Sequence, residues 1–300
     1  MRISTQMIQR LAVNSILDRQ TTLSQTQQQL ATGRRIQTPA DDPTGATQAL
    51  TASQKLGITE QYQTNAGRAV SRLESEETLL IAAGNSLQRI RELAIQGENG
   101  SLSQGARDAI AVEVWQRLDE LFDMANSKDG SGEYLFSGFQ GNTPAFVNAA
   151  PGVYNYQGDQ GQRALQISPT RQIATSDPGS AIFADLPYSG GGTQNIFKTV
   201  YDFATALNNN TPLGETLSDL DTAMDKISSV RAEIGGRINA IDSQRGSNDQ
   251  YTVQLKGMLS DIQDLDYAEA IGRLNLQLTG LQAAQQSFQK IQSLSLFNYL

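Results

Sequence analysis

The sequence contains neither cysteine nor histidine. Without thiols there is no disulfide framework, no thiolate zinc site and no cysteine nucleophile. Without imidazole the chain lacks the side chain that titrates near neutrality and the commonest metal ligand. Ser-His-Asp triads and His-ligated metals are excluded, so an enzyme built here has carboxylates, Lys, Tyr or Ser to work with. Aromatic residues are sparse too, at 6% with a single tryptophan, Trp115, and only 38% of residues are hydrophobic. That is lean for a compact globule. The longest strongly apolar run, residues 79–83, falls far short of the roughly 20 residues that span a bilayer. Arg2 is followed by a polar-studded stretch, not the apolar centre of a secretory signal peptide. The expectation is a protein that stays in the cytoplasm or leaves by a route that reads no such peptide.

What the chain does have is glutamine, 33 of its 300 residues, a fair helix former that buries poorly and so fits helices with much exposed surface. At 300 residues there is chain for two or three domains. The net charge of −8 argues against nucleic acid as a main partner. It is unevenly spread: residues 1–40 hold five arginines and one acid, Asp18, and residues 274–300 hold Lys290 and no acid. The acidity belongs to the middle, which sets the two ends apart as one kind of environment.

Helical periodicity dominates both halves. The series Ala66, Ala69, Leu73, Glu76, Leu80, Ala83, Leu87, Ile90, Ala94 steps by three and four, and Glu76 alone interrupts its apolar stripe. Asp42-Pro43 reads as an N-cap followed by a first-turn proline, and Gly97 with Gly100 as the stop. Ser101 and Gln104 have capping-box spacing ahead of Ile110, Val114, Leu118, Leu121 and Ala125. In the second half a short helix from Ile196 precedes a series of more than fifty residues, from Leu213 through Leu220, Ile227, Ile234 and Ile241 to Ile262, weakened at residues 244–250.

Between the halves, residues 127–195 concentrate 11 of 26 glycines, five of eight prolines and eight aromatics. The residues Val153–Tyr156 and 163–168, joined by Gly158-Asp159-Gln160-Gly161, read as a hairpin. The fold class is therefore mainly α with a β insert: a long antiparallel helical bundle or coiled-coil stem from the N- and C-terminal halves, plus a small central β domain. The expected division is 1–40 with 272–300 as terminal coiled-coil segments, 41–126 with 194–271 as a helical rod, and 127–193 as an outer β-rich domain.

The ends keep coiled-coil spacing with a partly polar seam, which lowers stability while favouring one register. The candidate interface residues are Val13, Ile16, Leu23 and Leu30 at one end and Leu274, Leu278, Leu281 and Phe288 at the other. Each end taken alone has too few apolar anchors to offset backbone ordering at roughly 1–2 kcal/mol per residue. Both ends are accordingly expected to be mobile in a lone chain and to become helical against neighbouring chains. Elsewhere the chemistry is thin. The groups Asp261, Asp264, Asp266 and Glu74, Glu76, Glu77 read as solvated helix faces, and Asp41-Asp42 as a turn and cap. Gly190-Gly191-Gly192 lacks the Gly-Lys-Ser/Thr of a phosphate loop and reads as a linker. No catalytic, cofactor or metal residue is assigned, and no cofactor.

Two ordered motifs carry a family resemblance. Leu30-Ala31-Thr32-Gly33-Arg34-Arg35-Ile36, followed by Asp41-Asp42-Pro43-Thr44-Gly45, resembles the N-terminal signature of the flagellin superfamily, and Asp264-Leu265-Asp266-Tyr267-Ala268-Glu269-Ala270 resembles its C-terminal counterpart. Within the superfamily, three segments resemble the hook-associated protein 3 group more than filament flagellins: Gly132-Glu133-Tyr134-Leu135-Phe136-Ser137-Gly138-Phe139, Tyr156-Gln157-Gly158-Asp159-Gln160-Gly161, and Leu294-Ser295-Leu296-Phe297-Asn298-Tyr299-Leu300. The resemblance implies a non-enzymatic structural subunit of the bacterial flagellum, self-associating in a ring or helical layer between a second hook-associated junction protein and flagellin. It also implies a flagellar export chaperone, export without a cleavable signal peptide, and an extracellular location. A filament flagellin and a secreted helical adhesin or effector remain as alternatives, with a carboxylate-dependent hydrolase in the insert as a rival of another class.

Overall fold

The structure, a computed structural model, describes residues 5–211 and 214–293. The expected seam residue Leu213 and the segment Leu294-Ser295-Leu296-Phe297-Asn298-Tyr299-Leu300 lie outside the described residues. The helices are α1 (Thr5–Thr32), α2 (Pro43–Gly97), α3 (Gln104–Ala125), α4 (Ile196–Asn209), α5 (Thr216–Gln263) and α6 (Tyr267–Ser293). Between α3 and α4 lie β1 (Phe146–Ala150), β2 (Val153–Tyr156), β3 (Ala164–Ser168), β4 (Arg171–Ala174), a π-helical turn at Ser180–Ala184, β5 (Leu186–Pro187) and β6 (Thr193–Gln194). The described strands pair as β1–β2, β3–β4 and β5–β6, each antiparallel. The chain is mainly α, with long helices at both ends and small antiparallel strands in the middle. It divides into two compact units, residues 1–58 with 250–300 and residues 59–249.

In the unit of residues 59–249 the stripe on α2 is core throughout. Ala66, Ala69, Leu73, Leu80, Ala83, Leu87 and Ile90 are fully buried, together with Val114, Leu118 and Leu121 of α3 and Leu220, Ile234 and Ile241 of α5. Such burial contributes about 1.5–3 kcal/mol for each large aliphatic side chain. α3 packs on α4. The insert joins this core through aromatic rings: Phe146 meets Phe197 of α4 at 5.0 Å between centroids, and Phe183 meets Phe136 at 5.4 Å edge-on. α5 stays helical across residues 244–250, where the apolar pattern lapses. There a polar seam replaces it, with buried Asn248 donating to the Ile167 carbonyl at 3.1 Å and Gln63 donating to Asp249 at 2.7 Å.

Three local expectations are corrected. The cap of α3 is Ser103, whose hydroxyl accepts from the Ala106 N–H; Ser101 instead bonds to Asn99. β2 does not pair with the strand beginning near residue 163. It pairs with β1 across the tight turn at Pro151-Gly152, where Gly152 takes φ +76, and β3 pairs with β4 across Pro169-Thr170. Gly158–Gly161 is the loop between these hairpins, held by Asp159, whose Oδ1 accepts from the N–H groups of Phe139 (2.9 Å) and Gly161 (2.7 Å). The third concerns Glu76, which is 1% exposed and lies in the core, unlike exposed Glu74. By contrast, Asp261, Asp264 and Asp266 are exposed as expected.

Candidate functional site

The two motifs that stand at opposite ends of the sequence meet in one joint. α1 ends at Thr32, and Gly33 turns the chain with φ +69. The Leu265 N–H donates to the Gly33 carbonyl at 2.9 Å and the Arg35 N–H to the Gln263 carbonyl at 2.6 Å, with Arg34 and Asp264 paired as an isolated antiparallel bridge. Arg35 adds a side-chain bond, Nη2 to the Ile262 carbonyl at 2.8 Å, and lies 3.5 Å from the Asp42 carboxylate. A Cβ at Gly33 would stand 2.8 Å from the Tyr267 hydroxyl, which would have to shift, and the positive φ itself favours a residue without a side chain there. Ile36 and Leu265 bury their side chains at its centre.

Three acids of the two motifs, Asp41, Asp42 and Asp266, serve backbone ends. Asp41 accepts from the N–H groups of Thr38 (2.8 Å) and Gln37 (3.0 Å), and these donors hold its carboxyl below the usual range. Asp42 caps α2 by accepting from the Gly45 N–H at 2.9 Å. Asp266 does the same for α6, accepting from Ala268 (2.9 Å) and Glu269 (3.1 Å). The expected turn and cap at Asp41-Asp42 are therefore present, and both acids are engaged with backbone.

Beyond the joint, α1 packs along α6. A Cβ at Gly280 would meet the Arg19 guanidinium, so Arg19, some four turns before Gly33, lies beside a residue four turns beyond Leu265. The two helices thus run antiparallel. Each supplies the apolar face the other lacks, and both are helical over Thr5–Thr32 and Tyr267–Ser293. Leu23, at 8% exposure, is the best-buried large apolar side chain described in the pair, with Ala270 of α6 fully buried; Ile16, Leu30, Leu274, Leu281 and Phe288 are half-buried. Val13 and Leu278 are exposed. Thr26, off the predicted seam, is buried and donates its hydroxyl to the Thr22 carbonyl at 3.1 Å. Met7, Leu11, Leu17 and Leu276, also off that seam, are over half exposed. Those apolar residues off the seam were the available signal.

Among the described residues there is no group of three or more acidic side chains placed to hold a metal ion. No described helix is long and apolar enough to cross a membrane. What the ends offer is main-chain pairing and apolar surface.

A family model described as the bacterial flagellin N-terminal helical region matches residues 3–141, and the bacterial flagellin C-terminal helical region matches residues 217–300. The chain belongs to the flagellin family. Both halves of the joint lie inside the matched regions of this flagellin-family chain. Flagellar hook-associated protein 3 of Escherichia coli is 27% identical over 318 residues, an alignment that covers 99% of both chains. Phase 2 flagellin of Salmonella abortus-equi is 31% identical, over 72% of this chain and 43% of its own length. Among solved structures, a putative flagellar hook-associated protein from Vibrio parahaemolyticus superposes with a TM-score of 0.69 at 24% identity, over 75% of this chain and all of that one. This likeness extends the fold to solved examples.

Proposed function

We propose that this flagellin-family chain is a structural, non-enzymatic subunit of the bacterial flagellum that joins the hook to the filament through its terminal helices. The observation that carries the proposal is coverage: the chain and hook-associated protein 3 of Escherichia coli align end to end, whereas the flagellin match leaves over half of the flagellin unaligned. In this reading the joined ends form the assembly core. Ile16, Leu23, Leu30, Leu274, Leu281 and Phe288 hold α1 to α6, and Val13 and Leu278 join the exposed Met7, Leu11, Leu17 and Leu276 against neighbouring copies. Residues 1–40 with 272–300 are the core segments, 41–126 with 194–271 the rod that makes lateral contacts, and 127–193 the outward β-rich domain. The partners are further copies in a ring or helical layer, a second hook-associated junction protein, flagellin and an export chaperone. The location is extracellular, reached without a cleavable signal peptide.

A strain lacking the gene provides the test. It should keep its hooks and shed unattached flagellin into the medium; the full chain restores filaments, and a chain lacking 274–300 does not. Filament growth on the truncated protein would overturn the proposal. Purified protein seen by electron microscopy separates the rival within the family, because spontaneous long filaments belong to a flagellin. Unchanged motility of the deletion strain would point to an adhesin or effector.

A further inference from the structure

The one acid in the apolar stripe of α2 is built into the core without a counter-charge of its own. Glu76 is 1% exposed, and no described residue donates a hydrogen bond to either carboxyl oxygen; the Asp177 carboxylate beside it can be paired only through a proton that Glu76 itself carries. It is faced by Arg72 from α2, Asp177 from the segment after β4, and Arg237 from α5. Each cation has an aspartate of its own, although Arg72 uses only Nη1 for it and keeps Nε and Nη2 buried without a hydrogen-bond partner. Arg72 pairs with Asp129 at the start of the insert, and Arg237 pairs with Asp177 while also donating to the Ala174 carbonyl at 3.3 Å. Asp177 further accepts from Gln162 Nε2 at 2.8 Å, and Asp129 from the N–H groups of Ser131 and Glu133. These pairs fasten the insert to the helices at two points, Asp129 to α2 and Asp177 to α5. Two guanidinium groups against two aspartates leave the cluster neutral only if Glu76 carries its proton. An ionised Glu76 would be a third, uncompensated negative charge out of water, which proteins avoid by neutralising the group.

We propose that Glu76 is a proton-dependent catch between the helices and the β-rich insert: a neutral carboxylic acid while the insert is docked, and a carboxylate once the docking opens. Burial pushes its pKa well above the usual carboxylate range, and the nearby Asp177 carboxylate adds to the rise; Arg237 and Arg72 offset part of it. The docked state therefore holds the proton more tightly than the open state. Stability of docking is fully present below the ordinary Glu value of about 4.3 and falls as pH rises toward the docked value. Across that window the opening equilibrium shifts by up to about tenfold per pH unit, and the released proton goes to solvent.

The test uses the full chain. Hydrogen exchange at the amides of Phe146, bonded to Asn126 Oδ1 at the end of α3 at 2.9 Å, and Ser189, bonded to Asp219 Oδ1 of α5 at 3.0 Å, reports opening of the insert from the helices. After correction for intrinsic exchange, protection of these amides should fall with rising pH in the natural protein. In Glu76→Gln, which keeps the shape and cannot ionise, it should stay level and high. Identical pH profiles in the two proteins would overturn the proposal. Should the variant fail to fold, the side-chain carboxyl carbon of Glu76, followed by NMR in the natural protein, decides by itself. A signal that titrates well above the ordinary value of about 4.3 supports the catch, and one that titrates at that value ends it.

Discussion

Gly33 leaves α1 with φ +69, a backbone region that costs an L-residue about 1–2 kcal/mol, and its missing side chain makes room for the Tyr267 hydroxyl. Gly33→Ala should therefore lower the thermal midpoint of the unit formed by the two ends, through strain and collision together. Adding Tyr267→Phe removes the hydroxyl and not the strain, so the double variant should recover only part of the loss. Calorimetry of the three proteins checks this, and a single variant as stable as the natural protein would refute the close approach. Asp41 makes a pH prediction of opposite sign to Glu76. Its carboxyl is held low by the Thr38 and Gln37 N–H groups, so its contribution is present above about pH 3.9, the unfolded value, and is lost as pH falls through the folded one. Asp41→Ala should be less stable than the natural protein at pH 7, and the gap in midpoint should close on acidification below pH 3. A gap that persists undiminished would mean that Asp41 acts by packing, not by charge. Glu76 was visible in the sequence as the single break in an apolar stripe. It was misread because charged residues on helices usually face water, and only packing from the insert and α5 shows that this face is covered.

At the scale of elements, the helices were legible and the strand partners were not, for a physical reason. A helix is specified by local spacing, and the burial of Leu73, Leu80, Leu87 and Ile90 follows the three-four step of the sequence. Pairing of strands depends on which turn closes, and three turn signals compete within residues 151–170. Pro151-Gly152 and Pro169-Thr170 close the hairpins, while Gly158–Gly161 is pinned by Asp159 to Phe139, a contact twenty residues distant that spacing cannot reveal. The pairing of α1 with α6 belongs to this scale as well, since each helix shows a seam and neither shows its partner. Leu23 is its most buried large apolar anchor among the described residues, so Leu23→Ala should destabilise the pair by about 2–3 kcal/mol. Leu11, 58% exposed, should tolerate truncation to within about 0.5 kcal/mol. Exchange protection of α6 amides reads both variants, and equal effects at the two positions would contradict the seam.

For the whole molecule, the sequence motifs at residues 30–45 and 264–270 are two sides of one joint. Their meeting was not legible from order along the chain; it follows from main-chain bonds between Gly33 and Leu265 and between Arg35 and Gln263. What the joint leaves open is apolar surface on helices that are nearly free of acid, with Leu11 at 58% and Leu276 at 76% exposure. A single chain gains nothing from keeping such residues in water, whereas neighbouring copies would bury them. Replacing both with glutamate separates folding from assembly. Leu11→Glu with Leu276→Glu should leave the melting curve of the purified chain within about 0.5 kcal/mol of the natural one, because neither side chain is packed in it. In the deletion strain the same double variant should fail to restore filaments, because each copy would bring uncompensated carboxylates into an apolar contact. Leu23→Ala, by contrast, should weaken both the isolated chain and its assembly. Filaments restored in full by the glutamate variant would show that these exposed leucines lie outside the subunit interface, and the assembly surface would then have to be sought on the rod.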